Sequence, residues 1–406
     1  MKTKNDPFLE WGFSVIMILL FCLVLGNIGS GFYGFIVKGS ENPDDFIMRY
    51  RESKYLSQLI NPFDVINGVR EVNSEIGFLW DVAGYTPWGM VYGIILNFIF
   101  LPEKYARYLF FVCYIMVMLI TLFVSYNIVR KVYSKRTSQL IVLIILANPG
   151  WSTGLSWLNV GAVLGIGIVL GILLLDRFPI AAGILIGLAA AKPQLAAPFF
   201  LGLLLKKQWK ALISAVIVPL IGWGMAVILT KTDPFFMLYQ FQVITEKFSG
   251  MLGNWITSLS SYYEVNFNHP ILQLIGTISC IVFAVWIWNK MKKNGVDDNL
   301  SFFSVSAVLS GMWMYSQTHD RTVLTLVILC LCLKMRSFLQ IHRNYLILIG
   351  VFLFSCIADT GRLARIQSFW ISTGSAPSVV YELLKNIVWI MILLFLAYWK
   401  GETVEQ

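Results

Sequence analysis

The sequence predicts an all-α polytopic membrane protein, one integral membrane domain of about 12 transmembrane helices over residues 1–406. Three observations carry this reading. Of the 406 residues, 57% are hydrophobic and only 13% are charged, against about 45–50% and about 25% in an average soluble domain. Twelve apolar segments follow one another along the chain, and the short loops between them alternate in charge. The mean hydropathy of +0.72 excludes an ordinary water-soluble enzyme, because the excess apolar surface needs lipid, and the composition excludes intrinsic disorder. The lipid bilayer is therefore the first expected partner.

The net charge of +9 does not point to nucleic acid, and no nucleic-acid partner is expected. The longest basic cluster, Arg130-Lys131-Val132-Tyr133-Ser134-Lys135-Arg136, directly follows an apolar span. That is a mark of membrane topology.

The first segment, 11–33, follows two lysines and lacks a small-residue cleavage site behind a short apolar region. It reads as a retained first span. Residues 36–104 form a first outer loop with surface helices. In it Asn42-Pro43 stops the preceding helix, and Asp44 or Asp45 caps the next, whose periodic face includes Phe46, Ile47, Tyr50, Leu56 and Leu59. Residues 86–101 are apolar but about 16 long and bracketed by Pro87 and Pro102. Counting them as a span would put the Arg130–Arg136 cluster outside, so they read as a helix on or dipping into the outer membrane surface.

Spans follow at 105–128, 138–150, 157–175, 178–191, 193–205 and 211–229. A second large outer loop, 230–270, carries regularly spaced side chains such as Phe235, Phe236, Leu238, Tyr239 and Phe241, and reads as a folded cap. The last spans are 270–289, 300–316, 322–334, 344–358 and 381–399. With both termini cytoplasmic, the inner loops hold 17 basic and 7 acidic residues, as the positive-inside rule requires. The 14 residues of 178–191 make about 21 Å of helix, too short for a hydrocarbon core of about 30 Å. Short paired helices meeting at a polar turn surround a water-filled cavity, here opening outward.

The chemistry-bearing residues fall at such turns. Asp44 and Asp45 offer one cap and one carboxylate for general-base work. His319, Asp320 and Arg321 are three consecutive ionisable residues within a nearly uncharged stretch, 300–334, where such side chains are costly and functional by default. His319 with Arg321 suits phosphate. Lys192, beside the helix-breaking Pro193, either snorkels outward or neutralises an anion in the cavity. Arg362 and Arg365, three residues apart, add positive charge to the outer face. His269 and His342 receive no role. All six cysteines lie in apolar stretches and read as small core residues. No HExxH, P-loop, GxGxxG or CxxC motif is present.

Four stretches taken in order carry a family resemblance. They are Asp45-Phe46-x3-Tyr50 with Asn61-Pro62-Phe63-Asp64, then Tyr85-Thr86-Pro87-Trp88, then Ala182-Gly183 through Gly187-Leu188-Ala189 to Lys192-Pro193-Gln194 and Lys206-Lys207-Gln208-Trp209, and finally the Ser316–Arg321 hairpin. They resemble the GT-C superfamily of polyprenyl-phosphate-sugar glycosyltransferases, and within it glycosyltransferase family 87. Two departures stand out: Leu158-Asn159 replaces the usual Gly-Gln, and His319-Asp320 replaces a double His.

The resemblance implies a GT-C-like bundle with outer-face jaw helices. It also implies inverting transfer of one sugar, often mannose, from a polyprenyl-phosphate donor to the hydroxyl of a glycan or glycolipid acceptor. The reaction would take place on the outer face of the cell membrane and build envelope polysaccharide or glycolipid. No cofactor and no metal are expected. Asp45 would be the base. Lys192, His319 and Arg321 would stabilise the departing lipid phosphate, and Asp320 would orient His319 or hold a sugar hydroxyl. Asp44, Tyr50, Tyr85, Arg362 and Arg365 would complete the substrate site. The competing readings are a transporter or flippase, which the lack of internal repeats disfavours, and a polymerase using a lipid-diphosphate donor.

Overall fold

The computed structural model describes residues 7–38, 43–80, 85–249, 270–312, 318–341, 344–357 and 376–398. Among these residues every regular element is helical. In chain order the helices are α1 Pro7–Val37, α2 Asp45–Ser57, α3 Pro62–Ile66, α4 Pro87–Leu96, α5 Glu103–Arg130, α6 Lys135–Ala147, α7 Pro149–Ser156, α8 Val160–Leu174 and α9 Pro179–Ala189. They continue with α10 Pro193–Leu205, α11 Trp209–Thr230, α12 Pro234–Ser249, α13 Pro270–Lys293 and α14 Asn299–Ser310. A 3-10 helix, Thr318–Leu324, runs straight into α15 Thr325–Ile341, and α16 Asn344–Ile357 and α17 Ala376–Tyr398 follow.

Within the described residues each of the twelve apolar segments contains a helix, and the chain is an all-α polytopic membrane protein. Among the described residues α1, α5, α11 and α13 are long and apolar enough to cross a membrane alone. The pair α6 and α7, bent by 48° at Asn148, passes together as one broken span. The remaining apolar helices are shorter; that was expected of 178–191, but Val160–Leu174 and Asn299–Ser310, within segments read as spans, are also shorter than a crossing requires.

Local chemistry sets the boundaries. Asp44, Asn61, Thr86, Ser134, Asn148, Asn159 and Asp298 each accept a first-turn backbone N–H with their side chains. Proline opens α3, α4, α7, α9 and α10, where its missing N–H costs no bond.

Two local expectations change. The expected face of α2 extended to Leu59, but the helix ends at Ser57 and Leu59 lies beyond it, exposed and at φ 62°. Helix α7 was not anticipated at all, because its eight residues lie between two apolar runs; Asn148-Pro149 is both its cap and the break from α6.

Packing builds several hydrophobic clusters, of which two frame the site. The larger core joins α8–α10 to α13–α17 around Phe199, Phe303, Val327, Phe352 and Trp389. A second, smaller core joins α2, α3, α4, α11 and α12 through Tyr55, Phe63, Met90, Ala226 and Met237. In this second core α3 and α12, distant in the chain, are tied together. Gln240 of α12 accepts from Asn61 and donates to Asp64, both at 2.8 Å. Helices α9 and α11 meet backbone to side: a Cβ at Gly187 would lie 2.7 Å from the Ala215 carbonyl oxygen, so only glycine permits this approach.

The bundle has two distinct ends. At one end the basic loops are tied together. Lys334 pairs with Asp298 at 2.5 Å, Lys206 with Asp297 at 3.0 Å, Asn299 with Asp176 at 2.6 Å, and Tyr133 donates to the Cys332 carbonyl. Helices α8 and α10 run from that end to Val160 and Lys192 at the other, where the candidate site lies.

Candidate active site

Asp44 and Asp45 are separated in role by one peptide bond. Asp44 is the cap of α2, accepting from the Ile47 N–H at 3.0 Å, and it is fully buried against Arg107 of α5 at 2.7 Å. Arg107 in turn donates to the Phe35 carbonyl and lies over the Phe35 ring. This ion pair ties α1, α2 and α5 together.

Asp45 points instead to the junction of α7 and α8. Its backbone N–H donates to the Trp157 carbonyl at 3.0 Å, and its Oδ2 accepts from the Val160 N–H at 3.2 Å. The Tyr85 hydroxyl reaches the same oxygen at 3.5 Å. Burial raises the Asp45 proton affinity above the usual carboxylate range, and Arg49, Lys192 and the Val160 N–H offset only part of that rise.

The α7–α8 junction has an unusual backbone. Leu158, fully buried, sits at φ 43°, a left-handed conformation that costs a side-chain-bearing residue roughly 1–2 kcal/mol. This is the first of the two positions at which the sequence departs from the family pattern, Leu158 standing where that pattern has glycine, and the left-handed backbone is one that glycine adopts without cost. Lys38 braces the same junction, donating to the Ser156 carbonyl and hydroxyl and lying 3.3 Å over the Trp157 ring. Burial lowers its proton affinity to about 8.

Opposite Asp45, Lys192 stands in the break between α9 and α10. Its ammonium donates to Asp320 Oδ1 at 2.5 Å and meets His319 Nε2 at 3.1 Å. Because a lysine ammonium only donates, Nε2 is the acceptor and the His319 proton belongs on Nδ1. Lys192, His319 and Asp320 are 5%, 4% and 3% exposed, so none snorkels to solvent. Lys192 has room there because position 161 is glycine; a Cβ would come within 3.1 Å of its Cδ and Nζ.

Two of the sequence stretches meet at this break. The Thr86 N–H and hydroxyl both donate to the Ala191 carbonyl, at 3.2 and 3.3 Å, and Trp88 Nε1 donates to the Ala190 carbonyl at 2.9 Å. The start of the α4 surface helix therefore holds the turn that presents Lys192. The 3-10 helix is held by Asn148, whose amide donates to the Arg321 carbonyl at 2.7 Å.

The structure thus brings Asp45, Tyr85, Lys192, His319 and Asp320 to one buried locus. Tyr50 commits its hydroxyl to the Leu101 carbonyl at 2.8 Å. Arg321 is buried beside them in sequence, and its charge reaches Cys356 of α16, as does that of Lys385 of α17. Arg362, Arg365 and the first two hairpin residues, Ser316 and Gln317, lie outside the described residues. Among the described residues no three His, Cys, Asp or Glu side chains gather as metal ligands.

Sequence reasoning passed over Arg49 and Glu52. Arg49 lies 4.8 Å over the Tyr85 ring, 3.7 Å from Asp45 and 2.5 Å from Glu52. Their signal was legible as helical spacing, four and seven residues after Asp45. Charges on an outer-loop helix read by default as solvated, yet both are buried. Arg107 carried no such local signal, since its partner Asp44 is distant in sequence.

The arrangement sets a weakly acidic carboxyl within electrostatic reach of an ammonium that itself meets an imidazole. That geometry can take a proton from a hydroxyl on one side and support a growing anion on the other. The family model for glycosyltransferase family 87 matches residues 85–339. The match contains the Tyr85–Trp88, Ala182–Trp209 and His319–Arg321 stretches and begins after Asp45. No curated protein and no solved structure matches the chain. With well over half its length matched, and with three of the four stretches inside the match meeting at one buried site, the chain belongs to glycosyltransferase family 87 and is a membrane glycosyltransferase.

Proposed function

We propose that this glycosyltransferase moves one sugar, mannose first among candidates, from a polyprenyl-phosphate carrier to an acceptor hydroxyl of a glycan or glycolipid, with inversion and without a metal. The basic end of the bundle faces the cytoplasm by the positive-inside rule, and the site faces outward. The observation that carries the reading is the placement of Asp45 across from Lys192 and His319 in one buried locus.

In the proposed step, Asp45 accepts the acceptor hydroxyl's proton as its oxygen attacks the anomeric carbon. The bond from that carbon to the carrier phosphate breaks, and the electron pair leaves with the phosphate. Lys192 meets the growing charge, having one ammonium proton beyond those directed at His319 and Asp320. His319 adds its Nδ1–H, and Asp320 holds the Lys192 ammonium in place. Burial strengthens each of these electrostatic contacts relative to water. Arg321 extends the positive field toward α16, and apolar grooves between the helices hold the carrier's chain.

The test is a transfer assay with purified protein in detergent, radiolabelled polyprenyl-phosphate-mannose and cell-envelope lipid extract as acceptor. Label should move to a new product, disappear with Asp45→Asn, and be indifferent to EDTA. Full activity in Asp45→Asn would remove the base from the reading. Loss of transfer with EDTA would remove the metal-free mechanism. Transfer from other lipid-phosphate sugars but not from mannose would change the donor alone.

A further inference from the structure

Arg49 contacts a carboxylate on each side of itself along α2. Asp45 lies one turn before it and Glu52 one turn after it. The two contacts are unequal. Nη1 sits 2.5 Å from both Glu52 oxygens, whereas Nε stays 3.7 Å from Asp45 Oδ1, beyond hydrogen-bond reach. Nε is buried and makes no hydrogen bond. Arg49 and Glu52 are 3% and 2% exposed, so water does not screen this competition. The guanidinium lies over the ring of Tyr85, the same residue whose hydroxyl reaches Asp45. A cavity of about 30 Å³, lined in part by Arg49, Glu52, Tyr85, Gly93 and Ala191, adjoins the pair and leaves the guanidinium room to move.

We propose that Glu52 is a positioning residue for the base: by drawing the Arg49 guanidinium to itself, it keeps that cation from pairing fully with Asp45 and so keeps Asp45 a competent proton acceptor. The inference rests on Asp45 being the base. A carboxylate fully paired with arginine holds a proton poorly and is a weak base toward a sugar hydroxyl. One guanidinium shared unequally between two carboxylates avoids that outcome while leaving neither carboxylate wholly unpaired in the interior.

The other charges around Asp45 are fixed by separate elements. Lys192 approaches from the α9–α10 break, His319 and Asp320 from the 3-10 helix, and the Val160 N–H from α8, with Asp44 beside it already paired to Arg107. Glu52 faces Arg49, Asp45 and the Tyr85 phenol. Burial raises the proton affinity of Glu52 and the Arg49 guanidinium beside it opposes that rise, so the cation is held on the Glu52 side.

The test is the pH profile of kcat/KM in the transfer assay above, for the intact protein, Glu52→Gln, Arg49→Gln and Asp45→Asn. Glu52→Gln should move the acid limb to lower pH by about one unit and reduce the plateau about tenfold, because Asp45 then owns the arginine. Arg49→Gln should move the same limb to higher pH. A purely structural pair would lower activity in both variants without moving the limb. Superimposable limbs, or limbs moving in the same direction, overturn the inference. If Glu52→Gln elutes aggregated on size exclusion, the upward shift in Arg49→Gln decides alone, and its absence overturns the proposal. Activity retained in Asp45→Asn is a different failure, that of the base assignment itself.

Discussion

Asp44 and Asp45 are neighbours in the chain, yet Asp44 is bound to Arg107 at 2.7 Å on one side of α2 while Asp45 accepts from the Val160 N–H at 3.2 Å on the other. The two carboxylates therefore answer to different consequences when altered. Asp44→Asn keeps the helix cap but loses a charged partner for a buried arginine, at about 2 kcal/mol. Asp45→Asn keeps an acceptor for the Val160 N–H and loses the proposed base, which should cost about 10²–10⁴ in rate. Thermal unfolding and turnover measured side by side should show Asp44→Asn lowering stability more than turnover, and Asp45→Asn the reverse.

Lys192 and Asp320 separate stability from chemistry in another way. Lys192→Met removes the proposed contact to the leaving phosphate and should reduce turnover by about 10²–10³. It also removes a hydrogen-bonded cation from the buried Asp320 carboxylate, so the thermal midpoint falls. Adding Asp320→Asn should recover the midpoint without recovering transfer. Recovery of transfer in the double variant would show that Lys192 acts only as a counter-ion.

Gly161 tests the placement of the ammonium without touching a charge. An alanine Cβ there would press on Lys192 Cδ and Nζ and on Asn159 Oδ1, the last at 2.8 Å. Gly161→Ala should lower turnover at least about tenfold by displacing Lys192, with donor binding changed less. An unaltered rate would show that the ammonium tolerates movement.

Glu52 also makes a prediction about stability. Its proton affinity is raised from 4.5 to about 7, chiefly by burial. Between those values the folded protein holds a proton that the unfolded chain releases. The stabilisation linked to that proton is complete below about pH 4.5 and is lost as the pH rises through about 7. Thermal midpoints of the intact protein relative to Glu52→Gln should fall across that window. A difference that stays flat with pH would show that Glu52 titrates as an ordinary surface carboxylate.

Much of the architecture was legible because hydropathy and loop charge both act over many residues. Within the described residues each of the twelve apolar segments contains a helix, and the bracketing by Pro87 and Pro102 singled out the helix that became α4. The locus of Lys192, His319 and Asp320 was legible because ionisable side chains in an apolar setting stand out. What escaped was decided by partners far away in the chain. The link from Arg107 to Asp44, the bend at Asn148 that aims the amide at Arg321, and the hold of Trp88 on Ala190 depend on docking that no local pattern announces. Arg49 and Glu52 escaped for the opposite reason: their spacing was plain, but only packing reveals that the helix face carrying them is buried.

The distribution of the site along the chain has a consequence for biosynthesis. Asp45 belongs to the second helix, Lys192 to the break after the ninth, and His319 and Asp320 to the segment after the fourteenth. A chain still emerging from the ribosome therefore inserts Lys192 into the membrane well before its carboxylate partner has been made. Until the 3-10 helix arrives, that ammonium must stay near water, so the α9–α10 hairpin settles to its final depth only late. On the proposed assignment of Asp45, Lys192 and His319, an unfinished chain lacks part of the site, and activity waits for the 3-10 helix.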